Sequence, residues 1–354
     1  IRIGNSPFAT RLSTQEARNV RYTRPDCVAE VEFRAWTADG RLRHASYRGL
    51  RDDKPATEII RETPQPVVEN AVKPMSKTMP KTPADTAPQT PAPHAPDIVF
   101  THPERVYWPD EGITKQDLAD YYTAVWPRIA PFITDRPLAI LRCPDGLSGP
   151  RFFQKNAWKG MNAHILSIQD PTEAEDKKLI GVHDLDGLMG LVQSATLEIH
   201  PWESSCRDLE KPDELVMDLD PGEGVAWAHV LAAAQEVRER LDAAGLHAFV
   251  KTSGGKGLHV VAPLKPCAGW DTAKAFCKTL AQSMAADTPA RYVATISKAK
   301  RQGRILLDYL RNQRGATSVA PYSTRARPGA PVSMPLGWDE LPTLTGPAQF
   351  TLRN

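Results

Sequence analysis

Apolar positions along this chain follow distinct rhythms, interrupted by one stretch that has none. In "CVAEVEFRAW" (27–36), Val28, Val31, Phe33 and Ala35 are interleaved with Glu30, Glu32 and Arg34, the mark of a half-buried strand. The "TADG" that follows is a hairpin signal, and a basic segment, "RLRHASYRGLRDDKP", comes next. Short strands over residues 1–61 amount to half of a small barrel, too little to fold well alone. Residues 62–97 hold nine prolines among Thr, Ala and Lys. That composition cannot bury enough apolar surface to offset ordering entropy, so a linker is expected over 62–96. A richer pattern opens at Asp97. In "ITKQDLADYYTAVWPRI" a capping-box spacing at Thr114 and Asp117 precedes the apolar stripe Leu118, Tyr121, Tyr122 and Val125, which predicts a helix. "RPLAILRC" and "ATLEIHPW" read as strands, with "RFFQKNAW" between them mixing aromatic, basic and amide residues.

The second half is the most legible. "ELVMDLD" predicts a strand, and "GVAWAHVLAAAQEVRERLDAAG" an amphipathic helix with Val230, Leu231, Ala234, Val237 and Leu241 on one face and Gly245 as its stop. "LHAFVKT" and "GLHVVAPL" are strands around the turn "SGGK"; "GWDTAKAFCKTLAQSMAAD" is a second helix and "RILLDYL" a last strand. The order β-α-β-β-α-β is the split-βαβ, ferredoxin-like unit, and the fold class is α+β.

Composition adds limits. The 354 residues are enough for two or more domains, and the hydrophobic fraction of 41% is ordinary for a soluble protein. No run approaches a membrane span. Lys plus Arg (44) nearly balance Asp plus Glu (42), so only the distribution of charge carries information. Cysteines 27, 143, 206, 267 and 277 form no CxxC pair or metal-ligand spacing, which fits a reduced, intracellular protein. A start on Ile1 suggests a piece of something longer.

Chemistry concentrates on the ferredoxin-like unit. Asp218 and Asp220 share one strand face, and the topology brings Asp308 on the fourth strand and His259 on the third beside them. Three carboxylates on one patch repel unless cations sit between them. Two divalent ions, Mg²⁺ or Mn²⁺, would do this and would hold the attacking and leaving oxygens of a phosphoryl transfer. An Asp-x-Asp before Pro-Gly is, taken alone, more often a strand end feeding a turn. "KTSGGKGLHVV" offers glycine amides and the Ser253 hydroxyl to phosphate, with Lys251, Lys256 and His259 as donors; it lacks the GxxxxGK[ST] pattern and read alone is equally a hairpin turn. From Ile296 to Ala330 there are eight Lys or Arg residues and one acid, Asp308, an arrangement suited to polyanions. Arg325 is a candidate for triphosphate, and Phe152 and Phe153 for stacking on a base, although core packing explains one of the two as well.

"MDLDPG", "TSGGKGLHV" and "RILLDYLRN…ATSVAPYSTRARPGAPVS" resemble the three motifs of the primase-polymerase domain of bacterial DNA ligase D, in the archaeo-eukaryotic primase superfamily. "HPERVYWPDEGITKQDLADYY" and "FFQK" are similar to the start of the same domain, placing it over 97–354. The resemblance implies an archaeo-eukaryotic primase-like core and a polymerase that adds nucleotides, ribonucleotides by preference, to 3′ ends at gaps and double-strand breaks during non-homologous end joining. It implies that Asp218, Asp220 and Asp308 hold two Mn²⁺ or Mg²⁺ ions. Ser253, His259 and Arg325 would meet the NTP or dNTP, with Lys256 added from the residue reading above, His200 would lie near the nucleotide, Phe152 would stack on its base, and Lys115 would bind the 5′-phosphate of a DNA end. Residues 1–61 resemble the C-terminal end of a ligase OB-fold domain; the adenylation part is absent, so no ligation is expected of this fragment. The rest of the ligase polypeptide, a Ku homodimer and a bacterial cytoplasmic, nucleoid-associated setting without membrane are implied as well. Two other readings compete: a metal-dependent sugar transferase using Asp-x-Asp, which leaves Asp308 unexplained, and a non-catalytic DNA-end-binding module, which leaves the three acids unexplained.

Overall fold

The computed structural model describes residues 98–297 and 300–354, together with the backbone of six short strands nearer the start of the chain. Two compact units result, Ile1–His94 and Ala95–Asn354. In the first, the strands are β1 (Arg2–Ile3), β2 (Tyr22–Thr23), β3 (Val28–Glu32), β4 (Ala35–Trp36), β5 (Leu42–Arg43) and β6 (Ser46–Arg51). β4 and β5 pair antiparallel, with Ala35 opposite Arg43, so the two sides of the "TADG" segment meet as a hairpin requires. β3 pairs with β6 across a register shift between Glu30 and Val31. The TADG residues and the proline-rich stretch lie outside the described residues.

The second unit begins with β7 (Val106–Trp108), β8 (Ile113–Thr114) and α1 (Lys115–Ile133). The capping box forms as expected: the Thr114 side chain accepts from the Asp117 amide while the Asp117 carboxylate accepts from the Thr114 amide. The helix runs four residues past the Ile129 where the pattern ended, through Pro127 and Pro131. Each proline removes a helical N–H, but Ile129 and Ile133, four apart, continue the buried stripe. Then come β9 (Leu138–Arg142), β10 (Phe152–Gln154), β11 (Leu166–Ile168), β12 (Leu179–Gly181), α2 (Leu185–Gln193) and β13 (Thr196–Pro201). They make a five-stranded sheet, β10-β9-β12-β11, with β13 also paired to β9. One core cluster, including Leu118, Tyr122, Ile140, Leu188 and Ile199, unites this sheet with α1 and α2.

The remaining elements are β14 (Glu214–Pro221), α3 (Trp227–Ala243), β15 (Phe249–Thr252), β16 (Leu258–Pro263), α4 (Trp270–Asp287), β17 (Tyr292–Val293), β18 (Ile305–Asp308) and β19 (Pro335–Leu336). Their sheet order is β17-β18-β14-β16-β15-β19. The inner four strands, in chain order 4-1-3-2 and antiparallel throughout, are the split-βαβ unit that the sequence predicts. Along β14, Leu215, Met217 and Leu219 enter the second core cluster with Val230, Val237 and Met284 of the two helices. Each such side chain contributes roughly 1.5–3 kcal/mol by leaving water. Period-2 alternation sends Asp218 and Asp220 to the opposite face, and a one-residue slip would exchange the two sets, so core burial fixes the register of the acids. Among the described residues, no helix is long and apolar enough to cross a membrane.

Candidate functional site

Strand pairing brings the acids together. Asp218 on β14 lies directly opposite His259 on β16 and, on its other side, opposite Asp308 on β18. One carboxylate oxygen from each of Asp218, Asp220 and Asp308 lies within 4.8 Å of the others. Burial, then the charge of Asp220, pushes the Asp218 carboxyl up to about 7; Arg311 opposes this and Asp308 adds to it. Arg311 is the cation at hand, with Nη2 3.0 Å from Asp218 Oδ2 and Nε 3.7 Å from Asp308 Oδ2. Clustered hard oxygens that share a single guanidinium fit divalent cations such as Mg²⁺ or Mn²⁺.

Arg311 reaches Asp218 because β18 ends early. Asp308 Oδ1 accepts from the Leu310 amide and turns the chain. Beyond that turn the buried Asn312 completes the ladder in place of a strand: its Oδ1 accepts from the Val216 amide and its Nδ2 donates to the Val216 carbonyl, both at 2.7 Å. The segment read as the strand "RILLDYL" is therefore a strand to Asp308 and a turn afterwards.

The glycine-rich segment forms a tight turn between β15 and β16. A Cβ at Gly257 would stand 1.8 Å from the Leu219 carbonyl oxygen, so β14 tolerates only glycine there. The Gly255 and Gly257 amides, expected to face phosphate, donate instead to Ser253 Oγ, each at 3.2 Å. Ser253 thereby keeps its hydroxyl proton for a ligand. Lys251, also a candidate phosphate donor, is buried and turned inward: its Nζ donates to the Val319 carbonyl at 2.6 Å and to His259 Nδ1 at 3.0 Å. Burial lowers Lys251 to about 8 while Glu203, Asp218 and Glu214 oppose, so it stays charged at neutral pH. Burial, followed by the charge of Lys251, holds His259 well below the ordinary imidazole range. A neutral ring that accepts at Nδ1 carries its proton on Nε2, the atom 3.4 Å from Asp218 Oδ1.

A second set comes from β13. Glu198 and His200 share a face two residues apart, and His200 Nε2 donates to Glu198 Oε2 at 2.9 Å. Glu198 Oε1 accepts from the Ala326 amide at 2.9 Å, and Arg325 Nε stands 3.1 Å from Oε2. Burial would raise this carboxyl, but His200, Arg325 and Ala326 outweigh it and hold Glu198 at about 2. Arg325 Nη1 donates to the Ser253 carbonyl, linking β13 to the glycine turn.

His200, Asp218, Asp220, Ser253, Lys256, His259 and Arg325 line one cavity of about 210 Å³, with Arg311, Arg327 and Ser318. Asp308 is not among its lining residues, but its carboxylate lies within 4.8 Å of those of Asp218 and Asp220, which are. Phe152 and Lys115 are not among its lining residues. On β10 both phenylalanines are exposed: Phe152 lies under the Arg142 guanidinium at 5.2 Å, and Phe153, on the opposite face, meets His200 edge-on at 5.1 Å. Lys115 opens α1; it is buried, its Nζ donates to the Thr101 carbonyl at 2.6 Å, and burial and Arg105 lower its pKa. Glu198 and Asn312 escaped the sequence reading, and Arg311 was counted only within the basic run around Asp308. Glu198 stands at E-x-H spacing in a predicted strand, a signal that was present; the role of Asn312 depends on a long-range partner and has no local signature.

Residues 114–354 match the family model described as LigD, primase-polymerase domain, and residues 1–54 match the model of the ATP dependent DNA ligase C terminal region. The chain is 36% identical over 354 residues to the multifunctional non-homologous end joining protein LigD of Pseudomonas aeruginosa, covering 99% of this chain and 41% of that protein. The LigD protein of Mycolicibacterium smegmatis is 32% identical over 245 residues, which cover 68% of this chain and 32% of the relative. This chain therefore spans well under half the length of these curated relatives. Among solved structures, the polymerase domain from Mycobacterium tuberculosis ligase D in complex with DNA superposes with a TM-score of 0.68 at 30% identity, covering 73% of this chain and 93% of that one.

Proposed function

This chain belongs to the LigD primase-polymerase domain family, with a ligase C-terminal region ahead of that domain, and from that membership we propose that it transfers nucleotides to DNA 3′ ends in non-homologous end joining. The observation that carries the reading is the convergence of Asp218, Asp220 and Asp308 beside a cavity lined by phosphate donors. The three aspartates would hold two divalent ions, Mn²⁺ or Mg²⁺. When bound, such ions acidify a 3′-hydroxyl and neutralise pyrophosphate charge. The protein's own part is positioning and electrostatics. Ser253 Oγ, Lys256, His259 Nε2 and Arg325 grip the triphosphate, and His200 sits at its edge. The 3′-oxygen of the primer then attacks the α-phosphate in line, and pyrophosphate leaves. Phe152, exposed on β10, stacks on a base. Lys115, with Arg105 beside it, meets the 5′-phosphate across a gap by giving up the Thr101 carbonyl.

Ribonucleotide preference, the Ku homodimer and cooperation with the remaining ligase polypeptide belong to the same reading, supported by family membership. The test is primer extension on a gapped duplex with a downstream 5′-phosphate, comparing ribo- and deoxynucleoside triphosphates with Mn²⁺. Insertion of a ribonucleotide, weakened when the 5′-phosphate is removed, is the expected result. DNA binding without incorporation of either nucleotide would favour an end-binding module instead.

A further inference from the structure

Glu198 lies behind the cavity, 5% exposed, in a strand whose register slips between Thr196 and Glu198. Its carboxylate gathers three groups from two distant stretches of chain: the His200 imidazole, the Arg325 guanidinium and the Ala326 amide. Two of these side chains line the cavity. We propose that Glu198 is a positioning residue for nucleotide binding, which presents His200 and Arg325 to the phosphates by occupying the nitrogens that would otherwise turn elsewhere. The inference rests on the nucleotidyl-transfer reading and deepens it.

The hydrogen-bond inventory makes the consequence specific. With Arg325 Nε beside Glu198 and Nη1 on the Ser253 carbonyl, Nη2 is the guanidinium nitrogen left for a phosphate oxygen. With His200 Nε2 on Glu198, Nδ1 is the ring nitrogen left for a ligand. The Arg325 Nε–H is buried without an aligned acceptor, although Glu198 Oε2 is 3.1 Å away, so charge rather than bond direction holds this pair. Arg325 also ties β13 to the turn that carries Ser253. One carboxylate therefore sets the relation between a strand of the five-stranded sheet and the phosphate-facing turn of the six-stranded sheet. Outer-shell partners of this kind change activity by about 10- to 100-fold when removed, the magnitude seen around metal ligands.

The test is a double-mutant cycle on the full chain, read as KM and kcat for ATP incorporation with Mn²⁺. Glu198→Gln keeps the shape and an acceptor but removes the charge. It is expected to raise KM about tenfold or more, with a much smaller change in kcat. In an Arg325→Gln background the same change is expected to shift KM less than about twofold, because coupled residues are not additive. An unchanged KM in Glu198→Gln, or a shift of the same size in both backgrounds, would overturn the proposal and leave Glu198 as a structural anchor. If the Gln variant does not fold, Glu198→Asp keeps the charge and retracts it by one methylene, and is read on the same two axes. If the wild type incorporates nothing, the transfer reading fails separately, and the cycle is then read on ATP binding with Mn²⁺ by calorimetry, with the same coupling expected.

Discussion

At the scale of single residues, the site is defined by charges held where they are costly. Asp218 is raised from its ordinary value of 3.8 to about 7 by burial and by Asp220. A carboxyl raised in the folded state stabilises the metal-free fold fully below about pH 4 and loses that contribution as pH rises through about 7. Without divalent ions, wild type should therefore lose stability between about pH 4 and 7, and Asp218→Asn should flatten the change in urea midpoints. Cations compete with the same proton, so Mn²⁺ affinity measured by calorimetry should strengthen as pH rises through this window. Lys251 acts one step further back. Lys251→Met removes the donor that fixes the His259 ring, and kcat/KM for incorporation should fall by about 10- to 100-fold. Asp218, Asp220, Ser253, His259 and Arg325 were all legible from residue type and spacing. The inward turn of Lys251 was not, because a lysine beside a glycine turn gives no local sign of whether it faces ligand or core.

At the scale of elements, close backbone approaches decide the geometry. Asn312 satisfies both the N–H and the C=O of Val216 where β18 has already ended. Asn312→Leu would leave two buried backbone groups without partners, at about 1–3 kcal/mol each. Chemical denaturation should show a loss of about 2–6 kcal/mol, and Arg311 should lose its place beside Asp218. Gly257→Ala forces a Cβ into the Leu219 carbonyl, so the turn must shift, and nucleotide affinity should fall together with stability. The helices and inner strands of the six-stranded sheet were readable because each has a strong period and a marked stop. The extension of α1 from Ile129 past Pro131 was not, since tertiary burial of Ile133 overrides the local helix breaker. Short pieces such as β10, β17 and β19 have two or three residues each, too few for any period to show.

At the scale of the whole molecule, a net charge of +2 conceals an uneven distribution, with basic residues flanking β18 and Asp218 and Asp220 lining the cavity. DNA affinity should therefore fall with salt, and replacing the exposed Lys300 by Ala should reduce the slope of log K against log salt by about one. The proline-rich composition separated a ligase-like segment from the polymerase-like one in the sequence, and two family models match on either side of it. In the five-stranded sheet, β9 and β13 were read from "RPLAILRC" and "ATLEIHPW", whereas β11, β12 and α2 were hidden, the two strands because they have three residues each, too few for a period to show. The measurement that tests the account most directly is nucleotide incorporation on gapped DNA with Mn²⁺ by wild type, Asp218→Asn and Asp308→Asn, each shown to be folded. Incorporation by wild type that falls about a hundredfold or more in both variants, together with loss of Mn²⁺ binding, is the predicted result. Incorporation that persists in either folded variant would contradict a catalytic role for the acidic cluster.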